Sequence, residues 1–174
     1  MRLMQIAKRA ADQIDDWNAR IGRAVSWLSL ILVVWVTVDV ILRYLLNWSR
    51  VWMMEVETYL FSTLFLLSSA WAWQNDKHVR VDIFYQKMSP RRRDWTNWWG
   101  TTVLLLPWTW ILMQVGWQYF MMSWTIGEGS SQSGGLGGVY VLKGIFLLAF
   151  VLLFLQAVAR WIQLSVTLFT SEKE

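Results

Sequence analysis

The residues able to do chemistry in this chain are few, and most stand at the ends of apolar runs. Asp39 and Arg43 lie four apart with the acid first. On a helix that spacing puts them on one face and suits an ion pair. Three uses fit such a pair in a membrane: a local salt bridge near the outer interface, a polar contact with a partner helix, or a proton relay. Glu55 and Glu57 are two apart, which turns them about 200° from one another on a helix. That geometry argues against two carboxylates sharing a proton. His78 and Asp82 stand four apart, but a metal site needs three or four ligands, and the sequence holds one histidine.

Other chemistries lack their parts. Without cysteine there are no disulfides and no thiolate ligands. A haem-binding bundle needs inward-facing histidine pairs, and nucleophilic catalysis needs a base beside the nucleophile. The glycines of 127–138 precede no Gly-Lys-Ser/Thr and follow no strand, so they do not read as a phosphate cradle. No cofactor, metal or turnover is expected. The residues leave two other classes open: an accessory subunit of some unrelated membrane complex, or an intramembrane lipid-modifying enzyme using Asp39, Glu55 or His78.

The elements that must carry these side chains are membrane helices. Hydrophobic residues make up 56% of the chain, fifteen residues are Trp, and no Asp, Glu, Lys or Arg occurs from Trp95 to Gly127. That stretch far exceeds the ~18 apolar residues that suggest a spanning helix. The fold class is an all-α integral membrane protein with four spans, about 22–46, 51–74, 98–124 and 139–162. Ahead of them, Leu3, Ile6, Ala7, Ala10, Ile14, Trp17 and Ile21 recur at spacings of three and four. They predict an amphipathic helix over 1–21, lying in the interface plane with its apolar face in lipid or docking on protein. A four-helix membrane domain over 22–165 and a polar tail over 166–174 follow. The first apolar run begins near Ala24 behind a polar lead, as an uncleaved signal anchor does. Ser89-Pro90 predicts a helix start, Pro107 a kink, and the Gly/Ser-rich 127–138 a flexible loop.

Charge sets the orientation. The N-terminal segment through Arg23 carries Arg2, Lys8, Arg9, Arg20 and Arg23; Lys77, Arg80, Lys87, Arg91, Arg92 and Arg93 fill the loop after the second span. Arg50 alone marks one opposite turn, and 125–138 has no cation. The positive-inside rule then places both termini and the basic loop in the cytoplasm of a bacterial inner membrane. Cations so placed fix topology and meet phospholipid; nucleic acid is not an expected partner.

Arg43-Tyr44…Asn47-Trp48-Ser49…Trp52…Glu55…Tyr59-Leu60-Phe61, followed by His78-Val79-Arg80-Val81-Asp82, resembles the signature of the small membrane subunit of TRAP transporters (tripartite ATP-independent periplasmic transporters, the DctQ-like family). Gly134-Gly135-Leu136, Lys143 and Leu152-Leu153…Gln156 resemble that family's last loop and helix, and the match runs the length of the chain. Met54 stands where many members carry a second acid beside Glu55. The resemblance implies a subunit that pairs with a large membrane subunit, the carrier of the substrate and sodium sites, fed an organic acid by a periplasmic binding protein. It implies bracing and docking, not translocation. Asp39, Arg43, Trp52, Glu55, Tyr59, His78, Arg80, Asp82 and Lys143 are the candidate partner-interface residues. Glu55 is expected to accept hydrogen bonds from a partner helix or from Lys143.

Overall fold

The computed structural model describes residues 2–75, 85 and 87–170, and its regular elements are all helical. Helix α1 is Arg2–Leu45 and α2 is Val51–Gln74. The third rod joins α3, Pro90–Gly100, through a wide π turn, Thr101–Leu105, to α4, Leu106–Ile126. Helix α5 is Val139–Thr170. Two segments, Ile6–Leu45 of α1 and Val139–Phe169 of α5, are long and apolar enough to cross a membrane. Helix α2, with 24 residues, reaches about 36 Å at ~1.5 Å per residue, but Glu55 and Glu57 interrupt its apolar composition.

Helix α5 is the central element. It packs on α1, on α2 and on the third rod, and every substantial helix contact of that rod is with α5. The interior is built of small and polar side chains: Ala11, Ala70, Ala149, Ala157 and Ala159 are buried, as are Asn18, Asp39, Thr109 and Gln156. Large apolar groups turn outward, among them Trp27, Leu30, Phe65, Leu104, Trp108 and Met122. Small residues inside let helices approach closely, the arrangement of helices packed where lipid is the solvent. Gly22 shows how closely: a Cβ there would lie 2.5 Å from the Trp71 ring of α2.

Three expectations change. The boundary at residue 21 is not a break, because α1 runs unbroken for 44 residues, about 66 Å, with no proline or helix-stopping motif to end it. Its first part sets its polar face on protein and leaves its apolar face outward. Asp15 and Asn18 bond to α5, while Ile6 and Trp17 are 62% and 65% exposed. The polar tail begins later than 166, since α5 continues to Thr170. Leu168 is buried and Phe169 packs edge-on against Trp95 and Trp98, so apolar contacts hold that last turn.

Helix ends follow local chemistry. Ser89 is the N-cap with Pro90 at the first helical position, though its hydroxyl makes no capping bond. Pro107 has no N–H to give, and the π turn lies just before it, where a widened turn relieves the lost bond. Helix α4 ends on Gly127 at φ 60°, with Gly127 N–H donating to Trp124 O (3.2 Å) and Glu128 N–H to Ser123 O (3.0 Å). That is a Schellman cap, which needs a left-handed residue best supplied by glycine. Between α1 and α2 the left-handed position falls to Asn47, at φ 49°, a residue whose short polar side chain tolerates it.

Candidate functional site

Two polar clusters stand one at each end of the helix stack. At the end where α1 and α4 finish, Glu55 points into the connection 127–138. Its Oε2 accepts from the Leu136 N–H at 2.5 Å, and its Oε1 accepts from the Ser130 hydroxyl. The connection then closes on itself: Ser130 N–H donates to Leu136 O at 2.8 Å and Gln132 N–H to Ser130 Oγ at 3.0 Å. Gly135 suits this closeness, because a Cβ there would sit 2.6 Å from Glu55 Oε1 and the Glu55 and Ser130 side chains would have to shift. The expected flexible loop is therefore a folded cap wrapped on one carboxylate.

Lys143 does not reach Glu55, as the sequence suggested it could. It pairs with Glu128 at 2.5 Å and lies over the Tyr119 ring, 3.8 Å from the centroid. The bond from the Lys143 ammonium holds the Glu128 carboxyl below the usual carboxylate range. Tyr59 is half-buried and within electrostatic reach of both Glu55 and Glu128. Trp52 packs edge-on against Trp35 with centroids 6.1 Å apart. The Trp35 indole N–H donates to Met53 O at 3.2 Å, which ties α1 to α2.

Asp39 and Arg43 form the ion pair that their spacing predicted, with Asp39 fully buried. Glu57 faces this pair across the α1–α2 contact. Glu55 and Glu57 thus serve different partners, as their angular separation required. Asp39 Oδ1, Arg43 Nε and Glu57 Oε1 are buried with no hydrogen-bond partner among the described residues.

The opposite end holds a network that sequence reasoning missed. The Asp15 carboxylate accepts from Gln156 Nε2 at 2.6 Å and Gln163 Nε2 at 2.8 Å. Asn18 Nδ2 donates to Gln156 Oε1 at 2.6 Å, and Gln74 Nε2 donates to Asp15 O at 3.1 Å. Helices α1, α2 and α5 are pinned at one level. The available signal was Asp15 with Asn18 on one helical face and Gln156 with Gln163, two turns apart, on another. His78, Arg80 and Asp82 lie outside the described residues.

In both clusters acids bond to neighbouring helices and loops, so the arrangement locks elements together. The family model described as Tripartite ATP-independent periplasmic transporters, DctQ component, matches residues 32–167. The chain belongs to that family. As a DctQ component it is the small permease subunit of a TRAP transporter, and the match contains Asp39, Glu55, Glu128, Lys143 and Gln156 while starting after Asp15 and Asn18. No curated protein matches the chain.

Proposed function

We propose that this DctQ subunit braces the large membrane subunit of a sodium-coupled organic-acid transporter and helps dock its periplasmic binding protein. It does so as a four-span protein of the bacterial inner membrane with both termini cytoplasmic. The observation that carries this reading is the division of labour among side chains. Acids are spent on internal locks such as Glu55 with Ser130 and Leu136, while large apolar side chains line the outside of every helix pair. A body locked in this way, with an apolar exterior, suits a scaffold. The capped 127–138 connection and the Trp48–Ser49–Arg50 turn lie at the same end and supply the periplasmic surface. The alternatives of an unrelated accessory subunit and of a lipid-modifying enzyme have less support, the first from the family match and the second because Asp39 and Glu55 are engaged.

The test is reconstitution. The large subunit and binding protein, with this chain, should take up an organic acid in response to a sodium gradient, and this chain should copurify with the large subunit. Uptake that is unchanged without this chain would refute the bracing role. Reporter fusions after Trp73 and Glu174 should behave as cytoplasmic and one within Gly129–Gly138 as periplasmic. A periplasmic signal at the C-terminus would refute the topology.

A further inference from the structure

A cleft of about 210 Å³ opens at the Gln74 end of the stack, between α2, the π turn and α5. Trp73, Asn97, Thr101 and Arg160 line its polar part and Leu105 closes one side. No carboxylate among the described residues lines it. Asn97 already donates to the Tyr85 hydroxyl at 2.7 Å, but the Arg160 guanidinium, the Thr101 hydroxyl and the Trp73 indole N–H have no partner among the described residues. A half-buried cation with two further idle donors and no acid is a site for an anionic oxygen ligand.

The cleft does not end there. Leu105 also lines a second depression of about 440 Å³, whose other walls include Pro107, Trp108 and Ile111 and which is apolar throughout. A polar recess with an idle arginine therefore adjoins, across Leu105, an apolar groove on the π turn and the start of α4. That sequence of surfaces matches an amphiphile with an anionic head and a hydrocarbon tail. A free phosphate would use only the first part. Basic recesses between helices at the cytoplasmic level are where acidic lipid headgroups settle.

We propose that this cleft binds one anionic phospholipid, its phosphate on Arg160, Thr101 and Trp73 and an acyl chain along Leu105–Ile111. Its placement in the inner leaflet rests on the topology proposed above, whereas the binding does not. Gly100 offers an unusual control. A Cβ there would meet nothing within 4 Å, so Gly100→Leu fills the cleft from a helical position without straining the fold.

The experiment is native mass spectrometry of the purified full chain in mild detergent, titrated with phosphatidylglycerol, phosphatidylcholine or inorganic phosphate. Phosphatidylglycerol should be retained over phosphatidylcholine. Arg160→Gln and Gly100→Leu should each lower its retention about tenfold, the value of one charge-assisted hydrogen bond. Trp73→Phe should lower it by less. Arg92→Gln, which removes an exposed cation outside the cleft, should change it less than about twofold, as screened surface charges do. Equal losses from Arg92→Gln and Arg160→Gln would mean diffuse charge attraction and overturn the proposal. So would competition by inorganic phosphate at the lipid's own concentration, or unchanged retention in Arg160→Gln and Gly100→Leu. If Arg160→Gln instead abolished copurification with the large subunit while lipid stayed, Arg160 would face a protein carboxylate and the lipid site would be wrong. Reporter fusions reading the cleft as periplasmic would move the lipid to the outer leaflet without touching these results.

Discussion

Glu55→Ala is the perturbation that bears most directly on how the 127–138 cap is held. Glu55 accepts two hydrogen bonds from the 127–138 connection, one from a backbone N–H and one from a hydroxyl. Bonds to a charged acceptor contribute about 1.5–3 kcal/mol each, so alanine forfeits about 3–6 kcal/mol before discount. Glu55 is half-buried and water replaces part of what is lost, which brings the expected cost to about 2–4 kcal/mol. Glu55→Gln keeps one acceptor oxygen for the fixed Leu136 N–H, and the Ser130 hydroxyl can rotate to accept from the new amide. Its cost should be about 1 kcal/mol. The loss falls on local opening of the cap. Protease cleavage within 129–138 should rise about thirtyfold or more in the alanine variant, with little change in the melting of the helix stack. A combined Glu55→Ala, Ser130→Ala variant should cost less than the sum of the singles. If Glu55→Ala leaves cleavage in the cap at the parent rate, the carboxylate does not hold it and the reasoning fails.

Three further outcomes are expected. Because its folded pKa is depressed, Glu128 contributes stability above the unfolded carboxylate range of about 4.3, and that contribution is lost as pH falls through the folded value. Amide exchange in the cap should therefore accelerate below about pH 4, and Glu128→Gln should flatten that dependence; an unchanged profile would count against it. Asp15→Ala strands the amide donors of Gln156 and Gln163, so it should lower thermal stability by about 2–3 kcal/mol, and adding Gln156→Ala should cost less than the sum. Asp39→Ala or Arg43→Ala should each reduce copurification with the large subunit more than the double change does, since each single leaves an uncompensated charge in the membrane; additive losses would speak against direct pairing.

Much of this was legible from residue spacing. The Asp39–Arg43 pair follows from a four-residue interval, and the divergence of Glu55 and Glu57 follows from a two-residue one. The helix start at Pro90 was written in local backbone chemistry. Long-range pairings were not legible. Nothing near Lys143 in sequence said that Glu128, rather than Glu55, would meet it. The choice came from the Schellman cap, which swings Glu128 back over the start of α5. Composition misjudged the glycine-rich connection for a related reason. Glycine permits flexibility, but it also permits backbone to press against a carboxylate, and only the fold tells which use applies. The inward turn of Asp15 and Asn18 was hidden because an amphipathic pattern identifies two faces without saying which one meets protein.

The position of α5 also bears on the order in which the chain can be assembled. Synthesis delivers α1 and α2 first, and they can pair at once through contacts such as Gly22 on Trp71. The third rod arrives next and, among the described residues, its substantial helix contacts are all with a segment not yet made. Asp15 waits likewise for Gln156 and Gln163, and Glu128 for Lys143. The last helix to leave the ribosome is thus the one that turns two separate pieces into a single body, and a chain ended before Val139 should be an early substrate for membrane quality control.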